Sequence, residues 1–395
     1  MRDVLEQLLP WWVAGEASAL ATVVACHHSA PRPPGASMLV GPAGEAVGSV
    51  SGGCVESAVY ELGQEALSGA GPVLQRYGGS AVDPFAVGLT CGGTLDVFVE
   101  RVDPTTFPQL GEVAEAVHAG QPIAVATVLA GPPKTVGRRL VVRPDRTAGG
   151  TGLRRLDDQL AADALGYLTV GRTGILRYGP QEPCLGPASD ALGEEVAVFV
   201  ESFLPPPRMI VFGAIDFATA LARTGAFLGY RVTVCDARPV FATAARLPGA
   251  DEVVVEWPHR YLRAEAEAGR IDGRTVICVL THDHKFDVPL LQVALRLPDI
   301  GYIGAMGSRR THEERRDRLT EAGLTETELT RLASPIGLDL GARTPEETAL
   351  SIAAEIIAVR QGGSGLRLAD RSGPIHGDAA TRSLRGSHLG SRSFA

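Results

Sequence analysis

The sequence predicts an α/β protein: an N-terminal α+β domain with an internal duplication, followed by a C-terminal Rossmann-like doubly wound domain. Three observations carry this reading. Short apolar strands alternate with helix-like stretches from Arg208 to Gln361. Several short motifs recur in the same order within the first 204 residues. Between the two regions stands Pro205-Pro206-Pro207, a stiff linker.

The duplication comes first along the chain. Leu20-Ala-Thr-Val-Val recurs as Val125-Ala-Thr-Val-Leu, Arg76-Tyr77-Gly78 as Arg177-Tyr178-Gly179, and Val97-Phe98-Val99-Glu100 as Val198-Phe199-Val200-Glu201. A helix-like stretch precedes each copy, Val4 to Ala14 and Leu110 to Ala119. Each unit then reads helix, strand, hairpin, helix, strand, over about 1–103 and 104–204. The two copies are expected to pack as one domain. The repeat also acts as a control. Residues shared by both copies serve the fold, and residues found in one copy are candidates for function. Ser51-Gly52-Gly53-Cys54-Val55-Glu56 and Thr90-Cys91-Gly92-Gly93 occur in the first copy and have no evident counterpart in the second.

The second half, 205–362, alternates β and α. Arg208-Met-Ile-Val-Phe-Gly-Ala is a buried strand entering a turn, Ala218 to Leu228 a helix, and Arg231 to Asp236 a second strand ending in an acid. Asp251–Trp257, Thr275–Leu280 and Asp299–Ala305 supply further strands. The dinucleotide fingerprint is altered to Gly213-Ala214-Ile215-Asp216-Phe217-Ala218. Ile215 stands where a glycine lets pyrophosphate approach, and Asp216 puts a negative charge there. This argues against bound NAD(P). Asp236 either binds a hydroxyl or caps the turn. Residues 363–395 turn to Gly, Ser, Arg and Asp without apolar period and read as a disordered tail.

Composition narrows the function classes. A chain of 395 residues with 21% charged residues has room for two or three domains with buried cores. The net charge of −8 argues against nucleic acid as the main partner. Lysine occurs at Lys134 and Lys285 alone, which leaves few candidates for lysine chemistry. The first residues read as the start of an amphipathic helix rather than a signal peptide, and no apolar run spans a bilayer. The six cysteines are widely spaced without a CxxC, so they do not form a secreted disulfide framework. The expectation is a cytoplasmic protein with reduced thiols and no membrane partner.

Candidate site residues follow. Cys54 stands near a helix N-terminus, where free N–H groups and the helix dipole favour a thiolate and bind anions. Ser51, Gly52 and Gly53 allow a bulky ligand to approach the backbone. Cys91 and Gly92 form a second glycine-flanked thiol loop, and Arg32 in Ala30-Pro-Arg-Pro-Pro-Gly35 adds a guanidinium. In the second half, Gly213, Asp236, His282, His284, Ser308 and Arg309 fall at the carboxyl ends of strands, where this fold binds ligands. Gly, Ser and Arg at a helix start suit an oxyanion. His282 and His284 also admit an acid/base role in an NAD(P)-dependent oxidoreductase, or a metal-dependent hydrolase site with Asp287. Thr344-Pro345-Glu346-Glu347 is a capping box with proline at the first helical position.

At these residues the chain resembles the xanthine dehydrogenase accessory family (XdhC/CoxI). The resemblance rests on Ser-Ala-Pro-Arg-Pro-Pro-Gly (29–35), Val-Gly-Ser-Val-Ser-Gly-Gly-Cys-Val-Glu (47–56) and Gly-Leu-Thr-Cys-Gly-Gly (88–93). Thr-His-Asp-His (281–284), Gly-Ser-Arg-Arg (307–310) and Pro-Ile-Gly-Leu-Asp-Leu-Gly-Ala-Arg-Thr-Pro-Glu-Glu (335–347) extend it to about 350 residues. It implies a non-enzymatic accessory chaperone that binds molybdenum cofactor transiently. Such a protein supports sulfuration of the cofactor by a cysteine desulfurase and inserts it into a molybdenum hydroxylase apo-enzyme of the xanthine or carbon monoxide dehydrogenase type. It implies Cys54 as the leading contact to the molybdenum, with Cys91 second. A homodimer is the working expectation for its assembly.

Overall fold

The computed structural model describes residues 1–27, 32–78, 93–179, 195–281 and 283–370. The chain divides into two compact units, one running from Met1 to Pro205 and the other starting at Pro206.

In the first unit the same succession of elements occurs twice. The first pass is α1 (Leu5–Val13), β1 (Ser18–His27), β2 (Ser37–Val40), β3 (Ala46–Gly48), α2 (Glu56–Leu67), β4 (Val73–Gly78) and β5 (Thr94–Val102). The second is α3 (Leu110–His118), β6 (Ile123–Ala130), β7 (Arg139–Val142), β8 (Thr147–Gly149), α4 (Arg154–Val170), β9 (Gly174–Tyr178) and β10 (Val196–Phe203). The antiparallel sheets have matching orders, β3-β2-β1-β5-β4 and β8-β7-β6-β10-β9. The motifs shared in sequence occupy equivalent strands: Leu20 and Val125 in β1 and β6, Phe98 and Phe199 in β5 and β10. One expectation is corrected. Each pass holds a further strand, β4 or β9, at whose end the Arg-Tyr-Gly triplets lie. Those strands are short and half-exposed, so they carry little apolar alternation.

Burial explains the layering. Along α2 the buried Val59, Gly63 and Ala66 recur at helical spacing and meet Val40, Val97 and Val99 of the first sheet. Along α4, Leu156, Leu160, Ala164 and Leu168 do the same against the second sheet, and Gly171 in the left-handed conformation ends the helix. The opposite faces of the two sheets meet through Val24, Phe98, Leu129 and Phe199. This interface also buries an ion pair between Glu100 of β5 and Arg139 of β7, with the guanidinium over the Phe107 ring. The two passes therefore share one interior.

The second unit is a Rossmann fold. Its elements are β11 (Arg208–Phe212), α5 (Asp216–Phe227), β12 (Arg231–Cys235), β13 (Glu252–Val254), α6 (Pro258–Glu267), β14 (Val276–Val279), α7 (His284–Arg296), β15 (Tyr302–Ala305), α8 (Arg309–Glu321), α9 (Glu326–Leu329), β16 (Leu332–Ala333) and α10 (Pro345–Gln361). All paired strands are parallel, in the order β13-β12-β11-β14-β15-β16. Counted within the unit this is 3-2-1-4-5-6, the order of dinucleotide-binding folds. The apolar faces of α5 and α10 cover one side, and α6, α7 and α8 cover the other. The capping box at Thr344 and Glu347 is formed as expected. Residues 371–395, most of the expected tail, lie outside the described residues; of 363–370, Leu368–Asp370 forms a single 3-10 turn.

Candidate functional site

The Ser-Gly-Gly-Cys segment is a tight turn between β3 and α2. Its centre is a residue to which sequence reasoning gave no role. Glu56, the first residue of α2, folds its carboxylate back over the turn. Oε1 accepts from the Ser49 hydroxyl at 2.6 Å and from the Ser51 and Gly52 amides at 2.8 and 2.9 Å. Oε2 accepts from the Ser51 hydroxyl at 2.5 Å and from the Gly53 and Val55 amides at 2.8 and 3.2 Å. Burial alone would raise the Glu56 pKa, but the hydrogen bonds from Ser49, Ser51 and the backbone outweigh it and hold the group at about 2. The glycine turn before this helix is therefore occupied by a group of the protein itself. A carboxylate of the protein already gathers the amides of the turn that leads into the helix, those of Ser51, Gly52, Gly53 and Val55.

Cys54 lies two residues before α2. Its amide donates to the Ser51 hydroxyl at 2.9 Å, and its half-buried thiol side packs against the first sheet–helix core. Gly52 and Gly53 are exposed with φ of +77° and +118°, and a Cβ added to either would meet nothing within 4 Å. These positions need glycine for their backbone, and space remains open above them.

The second pass gives the comparison. Thr151 N–H and hydroxyl donate to Asp157 at 2.8 and 2.6 Å, so Thr151 and Asp157 reproduce Ser51 and Glu56. Thr151 and Ser51 are both fully buried. The 51–56 segment thus has a counterpart after all, and Ser51 belongs to the shared geometry of the turn. The threonine-for-serine and aspartate-for-glutamate exchanges hid it. Two features remain particular to the first pass. One is the thiol. The other is the open glycine face: in the second pass a Cβ at Gly152 would lie 2.7 Å from the Arg138 guanidinium. The residue equivalent to Arg138 in the strand pairing is the small, buried Ala36.

Arg32 lines an open cleft of about 770 Å3 together with Arg2, Asp3, Gly35 and Ser49. Its Nη2 donates to Asp3 at 2.5 Å, its carbonyl accepts from the Cys26 thiol at 3.1 Å, and its buried Nε has no hydrogen-bond partner among the described residues. Burial, then the nearby Asp96 charge, pushes the Cys26 thiol up to about 11, so this thiol acts as a donor to the loop. Ser49 connects the cleft to the cysteine turn through its bonds to Glu56 and the Gly52 amide. Cys91 and Gly92 lie outside the described residues.

In the Rossmann unit, Gly213 adopts φ +109° against Thr281, whose Cγ2 would lie 2.8 Å from an added Cβ. Asp236 is buried and committed. Its Oδ2 accepts from the Ala214 amide at 2.7 Å, and both oxygens bind the Arg238 guanidinium. Burial raises its pKa, yet Arg238 and the Ala214 amide prevail and hold it below the usual carboxylate range. Of the two roles expected for Asp236, this is the capping one. Asp216 stands 84% exposed at the start of α5. His284 is exposed and its Nδ1 lies 2.9 Å from Arg318, and His282 lies outside the described residues. Ser308 caps α8 by accepting from the Thr311 amide, which leaves Arg309 exposed in the first turn. Asp287 is not oriented as a metal ligand: it is 1% exposed, accepts from Thr281, and pairs at 3.1 Å with the equally buried Arg315. Arg315 also binds the Met306 carbonyl and the Ser334 hydroxyl, so one guanidinium ties helix α7 to the loops after β15 and β16. Among the described residues no group of three His, Cys, Asp or Glu is placed to hold a metal ion. Nor is any helix there long and apolar enough to cross a membrane.

Known proteins match both units. Residues 11–78 and 116–179 match the model of the XdhC and CoxI family, and residues 209–356 match the XdhC Rossmann domain. The chain belongs to the XdhC and CoxI family. Among XdhC relatives, it is 28% identical over 358 residues to a probable xanthine dehydrogenase subunit of Bacillus subtilis (strain 168), covering 88% of this chain and 94% of that one. It is 27% identical over 362 residues to the molybdenum cofactor insertion chaperone PaoD of Escherichia coli (strain K12), covering 91% and 88%. A crystal structure of a xanthine dehydrogenase from Bacillus halodurans superposes with a TM-score of 0.63 at 25% identity, covering 93% of this chain and 97% of that one. The XdhC models meet the two passes of the first unit separately, in agreement with the duplicated topology. The roles of Glu56 and Arg315 escape a reading of the sequence. The signal for Glu56 is Ser followed five residues later by Glu at a helix start; that for Arg315 is hidden in a charged helix whose mean hydropathy points outward.

Proposed function

We propose that this protein binds molybdenum cofactor transiently and supports its insertion into a molybdenum hydroxylase apo-enzyme of the xanthine or carbon monoxide dehydrogenase type. In this reading it performs no turnover of its own. The observation that carries it is the Cys54 turn. A half-buried thiol stands beside two open glycines in the first pass, where the second pass has no thiol and covers the glycine with Arg138. The residues fit such a ligand: a soft sulfur donor suits molybdenum, and the open glycine face admits a bulky group. Cys54 would contact the molybdenum, with Gly52 and Gly53 giving room and Arg32 a guanidinium for an anionic part. Cys91 and Gly92 are second candidates for the same ligand. The chaperone name of the Escherichia coli relative supports the reading.

A cysteine desulfurase partner, self-association as a dimer and a cytoplasmic setting belong to this same proposal. In the Rossmann unit, Gly213, Asp236, His282, His284, Ser308 and Arg309 are proposed to shape a ligand edge that does not take NAD(P). The Asp216 carboxylate and the Ile215 side chain stand where a pyrophosphate would need a bare backbone, and Asp236 is already saturated by Ala214 and Arg238.

The test is molybdenum and molybdopterin content of protein purified from a molybdate-fed host, wild type beside Cys54→Ala. Cofactor on the wild type and a loss of about tenfold or more on the variant are expected, at least the loss that follows from changing a group that merely supports a metal ligand. Absence of cofactor from the wild type, also after mixing with apo-client, would overturn the proposal.

A further inference from the structure

We infer that Glu56 is the positioning residue of the Cys54 turn, and that it closes the converging amides of that turn to oxyanions, so the ligand is taken by the thiol and the open glycine face. This rests on the proposed role of Cys54 as the ligand contact.

The argument starts from the amides. A glycine-rich turn running into a helix is a ready anion site because its N–H groups converge and the helix dipole adds to them. Here the amides of Ser51, Gly52, Gly53 and Val55 all converge on one carboxylate, joined by the hydroxyls of Ser49 and Ser51. A phosphate or molybdate oxygen entering there would first have to displace Glu56. The Cys54 amide hangs from the same assembly through the Ser51 hydroxyl.

The duplicate shows which part is structural. Asp157 clasps Thr151 in the second pass, and there the clasp holds no thiol. Among the described residues Asp157 accepts from the amide and hydroxyl of one residue, whereas Glu56 gathers four amides and two hydroxyls. The extra contacts include Gly52 and Gly53, the residues that lead to Cys54. A clasp needed for the fold alone would not require them.

The experiment compares Glu56→Gln, Glu56→Asp and Asp157→Asn in the full chain. Three quantities are read: the thermal midpoint, the rate of iodoacetamide alkylation at Cys54 by peptide mass spectrometry, and retained molybdopterin. Loss of charge-assisted hydrogen bonds should loosen the turn, so Glu56→Gln should speed Cys54 alkylation by about threefold or more and cut retained cofactor by about tenfold. Glu56→Asp should recover part of both. Asp157→Asn should lower the midpoint while changing Cys54 alkylation by less than about 1.5-fold, since its clasp holds another turn. If Glu56→Gln lowers the midpoint like Asp157→Asn and leaves Cys54 alkylation unchanged, Glu56 serves the fold alone and the inference falls. If wild type binds inorganic phosphate or molybdate tightly and the bound anion slows Cys54 alkylation, the turn is open to oxyanions and the inference also falls. The alkylation arm does not depend on bound cofactor. A change there with no cofactor on the wild type upholds the positioning role while the function proposal fails.

Discussion

Glu56 is where residue chemistry governs the first unit. Its pKa falls from the usual 4.5 to about 2, because six donors stabilise the charged form more than burial disfavours it. The linkage sign follows. A carboxylate depressed in the folded state contributes stability above its unfolded pKa, and this contribution is lost as pH falls through the folded value. The difference in stability between wild type and Glu56→Gln should therefore be steady at neutral pH and shrink from about pH 4.5 toward about pH 2. Thermal melts of both proteins across that window check it, and a difference that persists unchanged at the acid end would count against the ionised clasp. The sequence points to the right segment and to Cys54 with its glycines. It does not single out Glu56, because an acid at a helix start reads as ordinary capping until the turn is seen to fold under it.

At the scale of elements, α2 is set by what it packs on. Gly63 lies against β2, and a Cβ there would come within 2.6 Å of Val40 Cγ2 and 3.3 Å of Val40 Cβ. An alanine would gain about 1 kcal/mol of helix propensity. Against that, Val40 is stiff at χ1 and cannot swing aside, so overpacking of about 1–3 kcal/mol should dominate. Gly63→Ala is expected to lower the thermal midpoint; a rise would mean that α2 can lift from the sheet at little cost. The helices α1, α2, α3 and α5 are legible from apolar spacing, and the box at Thr344 from its residues alone. The strands β4 and β9 are not, since their half-exposed residues show no clear alternation.

At the scale of the molecule, the duplication is also a packing device. The two passes share an interior, and Glu100 and Arg139 join them inside it. Burial pushes the Glu100 pKa up and Arg139 opposes this. Removing one partner leaves a buried group unpaired, so Arg139→Leu should cost about 3–5 kcal/mol. Replacing both, as in Arg139→Leu with Glu100→Leu, should cost markedly less, because no charge is then stranded. Denaturant titration of the full chain, followed by fluorescence of Trp11 and Trp12 with Trp257 replaced by Phe, reads this directly. Equal losses in the single and double variants would show that the pair itself stabilises the interface.

The sequence by itself determined the two-part architecture, the duplication, the parallel nucleotide-type sheet and the cysteine turn. These depend on local periodicity, on repeated motifs and on glycines that the backbone requires, all of which are properties of neighbouring residues. Only the tertiary structure decided that the turn at Cys54 is filled by Glu56, that Thr151 and Asp157 repeat this clasp, that Asp236 is spent on Ala214 and Arg238, and that Asp287 pairs with Arg315. The reason is physical. Whether a polar group is available to a ligand depends on which donors and acceptors the fold has already brought to it, and those partners lie on other turns, strands and helices.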